Sequence, residues 1–202
     1  MTTLYLMRHG ETEQGRARKY CGSLDVPLND EGKRQAQMLS SRLDGVKIDA
    51  VFASDLTRAV QTASIVFKGA VVEKKPCFRE MDFGACEGLS YEEARLAYPD
   101  MYEAWIHTPL EVTLPGGEAF TAFCARVTNG FQDLLAQYPG KNIALVSHGG
   151  PIRVIVCAAL KRGLSDFWSI QQDNAALNVI EYDPVAKVIL LNDTAHLKGS
   201  DL

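Results

Sequence analysis

Two short apolar runs, each closed by a histidine and a glycine, constrain this chain more than any other feature. Thr3-Leu-Tyr-Leu-Met7 leads into Arg8-His9-Gly10-Glu11-Thr12, and Asn142-Ile-Ala-Leu-Val146 leads into Ser147-His148-Gly149-Gly150. Both runs have the length and residue types of buried strands and end in glycine-containing turns. In open α/β sheets the carboxyl edge of the strands borders the ligand crevice. If the two strands are parallel neighbours, both histidines emerge at one edge beside Arg8 and free backbone N–H groups. One Arg-His-Gly is a weak signal, but two strand-closing His-Gly pairs are far more specific. Their chemistry is that of a phosphate pocket with a candidate nucleophile.

At 202 residues the chain suits one α/β domain spanning 1–202, with enough length for a sizeable core. The formal net charge of -4, with no long basic block, argues against non-specific nucleic-acid binding. The five cysteines are scattered, without C-x-x-C spacing, which fits a reducing compartment and neither a disulfide framework nor a zinc site. No signal peptide is expected ahead of the first strand. The apolar segment 152–160 is interrupted by Arg153 and is too short to span a bilayer. The expectation is a cytoplasmic protein without membrane contact, monomeric or homodimeric.

Strand and helix patterns alternate along the chain. A polar loop over 13–27, made basic by Arg16, Arg18 and Lys19, precedes a helix capped at Asn29 or Asp30 and reaching about residue 43. A strand at 49–53 leads to a helix over about 55–67, with Ser54 as its cap. Arg58 lies one turn into that helix, either on the surface or directed at the crevice. A short strand at 71–75 and a loop at 77–84 follow. Ser90-Tyr-Glu-Glu93 is a capping box, Pro99 interrupts its helix, and a further helical piece covers 101–107. Thr108 to Gly117 reads as a loop. Phe120, Phe123, Val127, Phe131, Leu134, Leu135 and Tyr138 recur at helical spacing. Pro151 suits the first turn of the helix after His148. Ala176–Tyr182 and Lys187–Leu191 pattern as an antiparallel hairpin turning through 183–186, with Trp168 beneath it. The whole predicts a three-layer α/β/α sandwich with a mostly parallel central sheet and an added antiparallel edge strand.

Cleaving a phosphate ester without a metal takes donors around the equatorial oxygens, an in-line nucleophile and a proton for the leaving alkoxide. Arg8, Arg58 and His148 are candidate donors, and Arg58→Ala is expected to lose activity without unfolding. His9 is the candidate nucleophile. The acid is left open among Glu80, Asp82, Glu11 and Glu87.

At these residues the chain resembles the histidine phosphatase superfamily, also called phosphoglycerate-mutase-like. The likeness covers nearly the whole chain. It rests on Leu-Met-Arg-His-Gly-Glu-Thr (6–12), Asp-Val-Pro-Leu-Asn-Asp-Glu-Gly (25–32), Ser-Asp-Leu-Thr-Arg-Ala-Val-Gln-Thr-Ala (54–63), Arg-Glu-Met-Asp-Phe-Gly-Ala-Cys-Glu-Gly (79–88), Pro-Gly-Gly-Glu (115–118) and Val-Ser-His-Gly-Gly (146–150). The resemblance implies that His9 carries a phosphoryl group and Glu80 donates the proton. It also implies that Arg8, Arg58, His148, Gly149 and Gly22 hold phosphate, with neither metal nor other cofactor. Two positions depart from the family pattern: Gly15 stands where many members have Asn, and Cys21 where many have Gln. Backbone N–H groups of Cys21 to Ser23, or the basic loop, are expected to replace those contacts. The mutase insertion is not recognisable. Instead the chain is most similar to the alpha-ribazole 5'-phosphate phosphatases of cobalamin assembly and the broad-specificity phosphatases beside them. The expected partner is a small phosphate monoester. A binding homologue without activity is the non-enzyme alternative, and retention of all five residues His9, Arg8, Arg58, Glu80 and His148 argues against it.

Overall fold

The computed structural model describes residues 1–108 and 110–198. Pro109, within the expected 108–117 loop, lies outside the described residues. The strands are β1 (Thr2–Arg8), β2 (Ala50–Ala53), β3 (Val72–Lys74), β4 (Asn142–Ser147), β5 (Leu177–Asp183) and β6 (Val185–Asp193). They form one sheet in the order β3-β2-β4-β1-β5-β6. The first four in that order run parallel, and β5 and β6 add an antiparallel edge pair. The helices are α1 (Glu13–Arg16), α2 (Asp30–Arg42), α3 (Thr57–Val66), α4 (Tyr91–Ala97), α5 (Pro99–His107), α6 (Phe120–Gln137) and α7 (Gly149–Ala159).

Strand alternation divides the core. Leu4, Leu6, Ile143 and Leu145 point to one face, where they meet α6 and α7; Met7, Ala144 and Val146 point to the other, where they meet α2 and α3. The three-layer expectation holds. A third cluster, built on Tyr20, Cys86, Ala94 and Leu114, seats α4 and α5 through Tyr98, Met101, Tyr102 and Trp105. The capping box at Ser90 is formed, and Pro99 opens α5.

Local expectations change in several places. Residues 13–16 form a short helix, because the Thr12 side chain accepts from Gly15 N–H. Ser54 does not cap α3; the Thr57 amide donates to Asp25 instead, at 2.6 Å, so a distant carboxylate starts this helix. The β5–β6 turn is tighter than expected, since Asp183 pairs with Val185 and only Pro184 lies between them. Trp168 is not beneath the hairpin. It sits half-exposed on a 3-10 turn (Leu164–Ser169), edge-on to Phe167 and Trp105.

Candidate active site

β1 and β4 are parallel neighbours, with Arg8 opposite Ser147. His9 and His148 are each the next residue, so they leave the sheet side by side with ring centroids 5.0 Å apart. The turn after β1 is fixed from three directions. His9 N–H donates to Ser147 C=O, Ala175 N–H donates to His9 C=O, and Gly10 N–H donates to Thr62 Oγ1. Gly10 is needed here because a side chain would run into the Gly32 carbonyl at the start of α2.

The two histidines are not equivalent. His9 Nδ1 lies 2.7 Å from Gly10 C=O. A carbonyl only accepts, so Nδ1 carries the proton and Nε2 keeps a lone pair. Burial, then Arg58 and Arg8, hold the His9 pKa well below the usual imidazole value. His148 Nδ1 accepts from Arg58 Nε at 3.2 Å, and its Nε2 lies 2.8 Å from Ser54 Oγ. Both of its ring nitrogens are committed, and burial followed by Arg58 also keeps its pKa well below normal. It is fully buried behind the cavity. The structure does not bring His148 to the cavity lining where the expected phosphate contact would be made; its ring accepts from Arg58, which does border the cavity.

Arg58 is fully buried, which overturns the surface alternative. Its guanidinium donates to the carbonyls of Leu24 and Gly22, both at 2.7 Å, and to that of Cys21 at 3.4 Å. Arg8 Nη1 donates to Gln172 C=O at 2.6 Å, while its buried Nε has no partner.

A cavity of about 400 Å³ opens at this edge. Arg8, His9, Arg58, Glu80, Gly149 and Cys21 all border it. Gly149 is the first residue of α7, where backbone N–H groups lack intrahelical acceptors. Gly22 and Ser23 do not fill their expected role. Their N–H groups, with those of Leu24 and Phe83, are spent on the Glu87 carboxylate. Ser23 faces a different hollow, with Arg79 and Asp82. Gly22 is required by close packing, because a Cβ would strike the Met81 carbonyl.

The structure separates the four carboxylates. Glu87 braces the 22–24 loop, Asp82 accepts from Gly84 N–H, and Glu11 accepts from Asn29 Nδ2. Only Glu80 borders the cavity with His9. Its Oε2 accepts from Gly150 N–H at 2.9 Å, and its Oε1 from Met81 N–H at 3.0 Å. A neutral imidazole with a free lone pair, two guanidiniums and a carboxyl group facing one space can transfer a phosphoryl group. Among the described residues, no group of three or more His, Cys, Asp or Glu is placed to hold a metal ion. Among the same residues, no helix is long and apolar enough to cross a membrane.

The model of the histidine phosphatase superfamily (branch 1) matches residues 4–194. The chain belongs to this superfamily. It is 34% identical over 200 residues to phosphoserine phosphatase 1 of Hydrogenobacter thermophilus, covering 98% of this chain and 95% of the relative. It is 30% identical over 195 residues to the adenosylcobalamin/alpha-ribazole phosphatase of Salmonella typhimurium, covering 95% and 96%. The crystal structure of the alpha-ribazole phosphatase from Shigella flexneri superposes with a TM-score of 0.90 at 30% identity, covering 95% and 96% of the two chains. The chain is accordingly a phosphatase.

Beyond the motifs of the histidine phosphatases, the cavity wall includes Gly15, Lys19, Tyr20, Tyr91, Trp105, Arg153, Trp168 and Asn174. Of the basic-loop residues only Lys19 reaches it; Arg16 and Arg18 stay exposed. Sequence reasoning missed Arg153. A signal was present: a lone arginine interrupts an apolar run that starts at the ligand edge, the placement that also marked Arg58.

Proposed function

We propose that the chain hydrolyses phosphate monoesters through a phosphohistidine on His9. The supporting observation is the fixed His9 tautomer, which presents Nε2 to a cavity shared with Arg58 and Glu80. Nε2 attacks phosphorus; the P–Nε2 bond forms and the ester P–O bond breaks. The leaving alkoxide takes the Glu80 proton. Water then attacks phosphorus, Glu80 takes a proton from it, and the P–Nε2 bond breaks. Arg8, Arg58 and the Gly149 N–H hold the equatorial oxygens, and no metal takes part in these steps. Alkaline quench during turnover should preserve a phosphoramidate that acid destroys, and His9→Ala should abolish it. Full activity of that variant would refute the reading.

The leading substrate is a nucleoside-like monophosphate, alpha-ribazole 5'-phosphate, which assigns the enzyme to cobalamin assembly in the cytoplasm. Support comes from the aromatic wall of Tyr20, Phe83, Tyr91, Trp105 and Trp168, suited to packing on a ring system. The alternative is L-phosphoserine, favoured by the first relative above and by the cation Arg153 in the wall. Mutase action is disfavoured, because neither Arg95 nor His107, the cations of segment 89–117, borders the cavity. Phosphate release from alpha-ribazole 5'-phosphate, L-phosphoserine and 3-phosphoglycerate, measured separately, ranks these readings. Rapid formation of 2-phosphoglycerate from the last would overturn them.

A further inference from the structure

Three arginines border the cavity, and they are held differently. Arg58 donates to three carbonyls and to His148 while still bordering the cavity, and Arg8 is tied to Gln172 through Nη1 with its Nε buried. Arg153 is tied through Nε alone, which donates to Ile170 C=O at 2.8 Å. Its Cζ lies 5.6 and 5.9 Å from the ring centroids of Phe167 and Trp168. Carboxylate salt bridges and hydrogen bonds to its two Nη atoms are absent among the described residues. Those atoms are not enclosed either, because neither is among the buried unpartnered nitrogens. The fork is thus pinned at its base, set against two aromatic rings, and free at its tips on the wall of the cavity.

Its position is close to the reacting groups. A Cβ built on Gly149 would lie 3.3 Å from Arg153 Nη1 and 3.8 Å from both Arg8 Nε and Glu80 Oε2. Arg153 and Glu80 also line a smaller apolar hollow with Phe120, Phe123 and Phe167, which neither Arg8 nor His9 borders. Arg153 therefore stands on the Glu80 side of the cavity, where the leaving group departs in the mechanism above. The same wall carries Lys19, which has no acid partner among the described residues, and among those residues Glu80 is the one acidic side chain bordering the cavity. A leaving group here meets donors and rings.

We propose that Arg153 is a specificity-determining residue whose free guanidinium fork binds a pair of oxygen acceptors on the leaving group. This rests on the phosphohistidine reading and deepens it. The shared chemistry is two oxygens spaced for a planar fork, which a carboxylate or a vicinal diol supplies. The two sources are distinguished by substrate twins. L-Phosphoserine pairs with phosphoethanolamine, which lacks the carboxylate. Adenosine 5'-monophosphate pairs with its 2',3'-dideoxy form, which lacks the diol.

The wild-type protein should prefer the acceptor-bearing member of one pair in kcat/KM, by roughly 10- to 100-fold for a charge-assisted contact. In Arg153→Gln that ratio should collapse toward one, mostly through KM, and the pair that collapses names the source. Arg153→Lys keeps the charge without the fork and should restore the ratio only in part. Equal losses on both members of each pair, with vanadate inhibition weakened in parallel, would show that Arg153 holds the transferred phosphoryl group and would overturn the proposal. An unchanged ratio in Arg153→Gln would overturn it as well. Failure of the underlying reading shows separately, as turnover that survives His9→Ala.

Discussion

Acidification should weaken the ligand-free protein more steeply than its surface charge implies. His9 and His148 are buried and held neutral, their pKa values pushed well below 6.5 by desolvation first and by Arg58 next. In the unfolded chain both imidazoles titrate near about 6.5. Below that pH the unfolded state binds more protons than the native state, so stability falls as pH falls. The stabilising contribution is complete above about 6.5 and is lost on the way down to the native pKa values. Between about pH 7.5 and 5.5 each imidazole that stays neutral in the native state contributes about 1.4 kcal/mol to this loss. Two give about 2.7 kcal/mol, a large part of a typical domain stability. Urea unfolding at both pH values, above the carboxylate range, measures it together with the share of His196, which burial also holds below the usual imidazole value. His148→Gln should roughly halve the slope. A protein equally stable at both pH values would refute the claim that these rings are neutral. So would an unchanged slope in the variant carrying both His9→Gln and His148→Gln.

Arg58→Ala should lower kcat/KM by ~10²–10³. It should also cost on the order of 2–4 kcal/mol in chemical denaturation, because the carbonyls of Leu24 and Gly22 lose a buried donor; wild-type stability would show that the 21–24 loop does not depend on it. Glu80→Gln should damage alkyl phosphates much more than p-nitrophenyl phosphate, whose phenolate leaves without a proton. Equal loss on both would make Glu80 a binding residue. Gly150→Ala places a Cβ against Glu80 Oε1 and should mimic that selectivity, with at least roughly a tenfold loss on alkyl esters; wild-type rates on those esters would show that the carboxyl need not stay where Gly150 holds it.

What the sequence revealed follows from what is local. The strands closing on His9 and His148, the capping box at Ser90 and the stripe of α6 all depend on spacing within about twenty residues, and they were legible. Arg58 looked ambiguous because its burial depends on three carbonyls more than thirty residues away. The choice of Glu80 among four carboxylates is a matter of direction. Glu87 turns toward the amides of 22–24, and no periodicity records that. The cap of α3 failed for the same reason, since Asp25 reaches it from another segment while Ser54 turns to His148. Trp168 carries no periodic signal, because a 3-10 turn imposes no long-range face.

The arginines and histidines of the site form one electrostatic unit. The chain carries a net charge of -4, so attraction of an anion must be local. Arg58 is buried against carbonyls and an imidazole, and burial lowers the Arg8 pKa more than Glu80 restores it. The cavity floor therefore holds positive charge that its own carboxylate does not fully compensate. The same charge, after burial, is what keeps His9 unprotonated. A phosphate ester entering the site would meet the arginines and the His9 Nε2 lone pair together. In the proposed mechanism the ring becomes cationic once Nε2 bonds to phosphorus. Gly10 C=O, the one contact that favours a positive His9 ring, is already 2.7 Å from Nδ1. On this reasoning, one set of contacts holds the imidazole neutral before transfer, and another is already in place for the charge that transfer creates.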